Sequence, residues 1–122
     1  NYPLVAVSAI TDMIPELAER FPNMFFTLGS TTGFVEGALA TLTKLRNEGA
    51  IGNKVAMVTV ANAFDIELAD KARPRFAEAG FEIVYDKAHS LGMPDVSPVV
   101  KGAKAAEPDA FVPGPTRPTP IR

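Results

Sequence analysis

The chain has 122 residues, 47% of them hydrophobic and 21% charged, with twelve basic against fourteen acidic side chains and a net charge of −2. A single core at this length buries roughly two-thirds of the unfolded surface, whereas the charge balance lacks the basic face that a nucleic-acid partner needs. No apolar run approaches the ~20 residues of a membrane span, the opening NYPLVAVSAI has no basic n-region of a signal peptide, and the absence of cysteine fits an oxidising compartment without requiring one.

LVAVSA (4–9) is a short apolar run ending in small residues, the pattern of a buried parallel strand. Asp12 is placed to cap a helix over about 13–20, with Pro15 tolerated in its first turn. MFFTL (24–28) is the next strand, and GSTTG (29–33) a turn. The stretch 34–48 has apolar residues at Phe34, Val35, Ala38, Leu39, Leu42 and Leu45, which is helical spacing, and Gly49 sits where a left-handed cap belongs.

KVAMVTV (54–60) is the clearest central strand, apolar almost throughout. A helix over 66–79 ends at Gly80 and contains Pro74, where a kink or a lost hydrogen bond is expected. FEIVYD (81–86) is the fourth strand and KAHSLGMP (87–94) a loop. Ser97 followed by Pro98 reads as an N-cap and a first-turn proline, Pro108 stops that helix, and DAFV (109–112) begins a fifth strand.

Strand and helix alternating at this spacing means crossover units and a mostly parallel α/β sheet with flanking helices. Ligands in such sheets bind outside the carboxyl ends of the strands. The segments that could hold one are therefore SAIT (8–11), TVANAFD (59–65), KAHSLGM (87–93) and whatever follows DAFV.

The chemistry in those segments is sparse. GSTTG lacks the Gly-Lys-Ser/Thr ending of a phosphate loop and no GxGxxG occurs, so no cofactor is expected. His89 is the single histidine, and without cysteine it makes no zinc site. Catalysis through it would need an acid, for which Asp86 and Asp95 are loosely placed, and a solvent-facing loop histidine is the plainer reading. Ser8 and Thr11 follow a strand end. They read either as a turn and helix cap or as a site where a hydroxyl and free backbone amides receive a carboxylate. Phe64 follows the central strand and reads either as a cover for the core edge or as a ring facing a ligand.

Several stretches taken together resemble one family. KVAMVTVANAFDIELADKARPRFAEAGFEIVYDKAHSLGMPDVSPVVKGAKAAEPDAFV is similar to the second lobe of the type I periplasmic solute-binding proteins, the branched-chain amino acid receptors of ABC importers. The points of match are Asn-Ala-Phe (62–64) after a strand, Ala-Gly (79–80) closing a helix, Asp-Val-Ser-Pro (95–98) opening the next, and Pro-Asp-Ala-Phe-Val (108–112) opening a strand. PLVAVSAITDMIPEL (3–17) resembles the last part of the first lobe, and FPNMFFTLGS (21–30) the segment crossing between lobes.

The resemblance implies a Rossmann-like lobe of a hinge-bending binding protein, not an enzyme. It implies residues 1–28 as the end of the first lobe and the crossover strand, and 29–112 as part of the second. It also implies a periplasmic or extracytoplasmic location, a small-molecule ligand such as an amino acid, and a membrane permease as partner. Carried over by position, Ala9 and Thr11, with Ser8, would hold the ligand's carboxylate, and Phe64 would lie over the ligand. A ligand-sensing domain of a receptor or regulator is the alternative, and a Rossmann-like enzyme a further one. Full members are roughly three times this length, so the chain reads as a fragment, expected to cover its bare apolar faces as a homodimer.

After Val112 come four prolines, Pro113, Pro115, Pro118 and Pro120. Residues 113–122 are expected to be extended or disordered. One choice of codons for them, shifted by a single base, reads Ala-Trp-Ser-Tyr-Pro-Pro-Asp-Thr-His-Thr, the continuation that the resemblance implies. A frameshifted tail is therefore the expectation, against a truncation or a natural proline-rich terminus.

Overall fold

The computed structural model describes residues 2–7 and 9–113, so Ser8 and the tail beyond Pro113 lie outside the described residues. Along the chain come β1 (Leu4–Ala6), α1 (Ile14–Arg20), β2 (Met24–Phe26), α2 (Thr31–Asn47), β3 (Lys54–Val60), α3 (Ala63–Glu78), β4 (Glu82–His89), α4 (Ser97–Ala105) and β5 (Ala110–Pro113). Every strand pair is parallel, but the strands form two sheets. β1 pairs with β2, and a second sheet has the order β4-β3-β5. The α/β class with helices flanking parallel sheets is thus as expected.

β3 is central because its sequence can be buried on both faces. Val55, Ala56, Met57, Val58, Thr59 and Val60 are all buried. Successive side chains of a strand point to opposite faces. Val55 and Met57 pack with Val35 and Leu39 of α2 and with Ala69, Ala72 and Phe76 of α3. Those α3 residues recur at helical spacing, and Phe76 meets Phe81 edge to face at 5.9 Å. Gly80 turns the chain between them at φ +84°, a conformation open to glycine. Gly49 closes α2 in the same way at φ +73°, as its position in the sequence predicts.

The chain leaves β3 for β4 on one side and then crosses back to β5 on the other. Right-handed crossovers place the two connecting helices, α3 and α4, on opposite faces of the sheet. In such sheets the point of reversal, at the carboxyl ends of β3 and β5, is where ligands bind.

Several boundaries differ from those the sequence predicts. The helix expected from 34 begins at Thr31, because Ser30 caps it: its Oγ accepts from Gly33 N at 3.0 Å. The helix expected from 66 begins at Ala63, because Asn62 caps it. α3 runs on through Pro74, whose exposed ring supplies no amide to the ladder. β4 extends to His89, since parallel pairing with β3 continues past the apolar run as far as Val60 opposite His89. Ser97 is not the cap of α4. Val96 holds that position, and Asp95 Oδ1 accepts from Ser97 N at 2.9 Å. β5 includes Pro113, opposite Val58. Proline fits there because β5 lies at the edge of the sheet among the described residues.

Candidate functional site

The loop after β1 and the start of α3 carry the residues that the sequence singles out. Ala9 and Thr11 are half-buried. Among the described residues none accepts from the amides of Ala9, Ile10 or Thr11. A row of free amides past a strand end can receive an anion. Thr11 Oγ1 accepts from Met13 N at 3.2 Å, so the hydroxyl closes the turn and keeps its own proton to donate. Ser8 lies outside the described residues.

Asp12, expected to cap α1, does something else. Met13 occupies that cap position without a side-chain bond. The Asp12 carboxylate instead reaches α2: Oδ1 accepts from Thr32 N at 2.9 Å and Oδ2 from Thr32 Oγ1 at 2.8 Å. Lys71 Nζ of α3 lies 3.3 Å from Oδ2. The Thr32 amide, then the Thr32 hydroxyl and Lys71, hold the Asp12 carboxyl below the usual carboxylate range. Burial acts against this and is outweighed.

Phe64 is in the first turn of α3, half-buried, and not in a loop. It still stands at the carboxyl end of β3. Seven residues are close to two helical turns, so Phe64 and Lys71 share a face of α3 about 10 Å apart along its axis. Asp12, bonded to Lys71, therefore ties the loop after β1 to α3. Glu67, on the same stripe, accepts from the buried Thr31 hydroxyl at 3.0 Å.

The first turn of α3 is fixed by its own side chains. Asn62 Oδ1 accepts from Asp65 N at 2.9 Å, and Asn62 Nδ2 donates to Asp65 Oδ2. Asp65 is 1% exposed, and its Oδ1 has no partner among the described residues.

Among the described residues, no catalytic pair forms around His89. It ends β4 rather than lying in a loop, half-buried, with its Nδ1 3.1 Å from Ser90 O. Asp86 is engaged by Arg73 at 2.6 and 3.3 Å, and Asp95 by Ser97. No group of three or more metal-ligating side chains occurs among the described residues.

An apolar groove of about 240 Å³ lies between α2, α3, β3 and β5, lined by Phe34, Val35, Leu68, Ala69, Val112 and Pro113 among others.

Sequence reasoning missed the bridge through Thr32 and Lys71 because its partners lie 20 and 59 residues from Asp12. It also missed Asn62 as a cap, although an asparagine three residues before an aspartate, just past a strand, is the available signal.

Comparison with known proteins gives these features a context. A search among curated proteins finds no match. Among solved structures, a putative branched-chain amino acid ABC transporter from Silicibacter pomeroyi superposes with a TM-score of 0.70 at 19% identity, over 84% of this chain and 28% of that one. An amino acid ABC transporter substrate-binding protein from Pseudomonas fluorescens Pf-5 does so with a TM-score of 0.67 at 27% identity, over 75% and 24%. An ABC transporter solute-binding protein from R. palustris, in complex with 4-hydroxybenzoate, gives 0.69 at 20% identity, over 91% and 28%. The chain thus spans about a quarter of the length of these proteins. The family model described as periplasmic binding protein matches residues 1–119, nearly the whole sequence, and the chain belongs to that family.

Proposed function

We propose that this chain is part of the extracytoplasmic solute-binding component of an ABC importer, taking amino acids of the branched-chain type or similar small carboxylates. What supports the reading is that Asp12, next to Thr11, is bonded to Thr32 of α2 and to Lys71 of α3, the helix whose first turn carries Phe64. The amides and the Thr11 hydroxyl receive the carboxylate, and the Phe64 ring covers the apolar part of the solute. Amino acids and 4-hydroxybenzoate, the ligand of the R. palustris protein, share that carboxylate. In this reading residues 1–28 end one lobe and 29–112 form part of the other, and the partner of the whole protein is a membrane permease. No chemistry is assigned to the site, since neither Asp86 nor Asp95 stands with His89.

Titration of the ¹⁵N-labelled chain with leucine and with 4-hydroxybenzoate tests the reading. Amide shifts should move at Ala9, Ile10, Thr11 and Phe64, and Phe64→Ala should weaken the response to both. If neither carboxylate moves those amides at millimolar concentration, the reading fails.

The homodimer expected of this chain rests on its apolar groove and on the exposed Leu4, Val5 and Phe25 of the smaller sheet. Light scattering at micromolar concentration should give twice the chain mass, and a strictly monomeric mass removes that part of the proposal.

A further inference from the structure

Among the described residues, the two sheets share no strand pairing. β1, α1 and β2 pack on one another, and α2 to β5 form a second unit around β3. The chain passes between them once, through 27–30, where Gly29 has no heavy atom within 4 Å of where a Cβ would be. Among the described residues, every side-chain hydrogen bond and ion pair joining the two units ends on one carboxylate, that of Asp12. The bridge between the two units is a single side chain.

We infer that Asp12 is the positioning residue that docks the loop after β1 onto the second unit, and so sets where Ala9 and Thr11 stand relative to Phe64. The geometry suits that role. Its two oxygens divide the work: Oδ1 takes the Thr32 amide, and Oδ2 takes the Thr32 hydroxyl and the Lys71 ammonium. Three donors from two helices fix a planar carboxylate in direction as well as distance, and the charged acceptor strengthens each bond. The acceptor also lies at the N-terminus of the 17-residue α2, where a negative charge is favoured by the helix dipole. Thr11 is the next residue back, so the carboxylate and the candidate amides move together.

An apolar side chain at position 12 loses all three bonds. An asparagine keeps one acceptor, loses the charge that Lys71 meets, and turns a donor toward donors. Serine at position 32 keeps both the amide and the hydroxyl.

The inference depends on the proposed function only for what the positioned amides hold. It is tested without any solute, so either idea can fail alone. The chain has no cysteine, so Glu19→Cys in α1 and Ala40→Cys on the exposed side of α2 give a unique pair of spin labels. A single narrow distance distribution is expected for the otherwise unaltered chain and for Thr32→Ser. Asp12→Ala should lose the narrow peak, and Lys71→Met should broaden it less. The far-UV helix signal should persist in all of them. A narrow peak retained in Asp12→Ala, or one lost only together with the helix signal, overturns the assignment.

Discussion

Asn62 and Asp65 close on each other across the first turn of α3: the amide oxygen of Asn62 accepts from the Asp65 backbone N–H, and its nitrogen donates to the Asp65 carboxylate. The pair sets the helix start, and with it the position of Phe64 between them. It also stabilises a carboxylate that is 1% exposed and, among the described residues, already has one oxygen without a partner. Removing Asn62 leaves that carboxylate with neither donor nor reciprocal cap.

Asn62→Ala should therefore cost more than an ordinary cap, about 2–3 kcal/mol, since it combines a lost N-cap with a stranded buried acceptor. Asn62→Ser, whose single, shorter hydroxyl must serve as both acceptor for the Asp65 amide and donor to its carboxylate, should fall between Asn62→Ala and the parent chain. Urea unfolding followed by circular dichroism measures both. Equal stability of Asn62→Ala and the parent chain would show that the pair does not fix the turn.

Two helical glycines should respond to alanine with opposite signs. Gly37 in α2 has nothing within 4 Å of where a Cβ would stand, so Gly37→Ala should stabilise by up to about 1 kcal/mol through helix propensity. At Gly102 in α4 a Cβ would meet Tyr85 Oη at 2.7 Å and Cε2 at 2.9 Å. The close approach of α4 to β4 needs that empty space, and Gly102→Ala should cost about 1–3 kcal/mol from overpacking. Thermal melts of the two variants should shift in opposite directions. A raised melting temperature for Gly102→Ala would mean that Tyr85 moves aside freely.

Parts of this arrangement can be read directly from residues and parts cannot. KVAMVTV announces β3, because a strand buried on both faces must be apolar on both. Gly49 and Gly80 announce the ends of α2 and α3, because their positive φ favours glycine. The polar ends are less legible. Asn-Ala-Phe looks like a loop until Asn62 is recognised as a cap, and Lys-Ala-His joins β4 only because β3 continues opposite it. The Asp12 bridge has no local signature. A carboxylate before a helix predicts a cap for that helix, and only the folded arrangement of α2 and α3 offers it better donors. The family resemblance, carried by spacing across the chain, agrees with the family that residues 1–119 match.

The contact between Gly52 and Asp109 should behave as a coupled pair. Asp109 Oδ2 accepts from Lys54 N at 2.9 Å, while Asp109 N donates to Lys54 O at 2.8 Å, and together these begin the pairing of β5 with β3. A Cβ at position 52 would fall against that carboxylate, 2.8 Å from its Cγ. Gly52→Ala should cost about 1–2 kcal/mol by displacing the acceptor. In an Asp109→Ala background the same change should cost distinctly less, since the displaced group is gone. Additive costs in that double-mutant cycle would place the effect of Gly52 elsewhere.

The docking of the two units should weaken in acid, with a direction set by Asp12. Its carboxyl is held below the ordinary value, first by the Thr32 amide, then by the Thr32 hydroxyl and Lys71. A group whose value is lowered in the docked state contributes fully above its undocked value, about 3.9, and loses that contribution as pH falls through the docked value. Glu36, lowered chiefly by Arg75, and Asp95, lowered chiefly by Ser97, titrate over the same acid range. The useful quantity is therefore the difference between the parent chain and Asp12→Asn, carrying the same label pair at positions 19 and 40. Above about pH 5 the parent should show the narrow distance and the variant the broad one. As pH falls below about 4 the parent should broaden toward the variant, while the variant changes little. Two distributions that stay equally far apart down to the acid unfolding of the helices would mean that the ionised Asp12 carboxylate does not hold the units together.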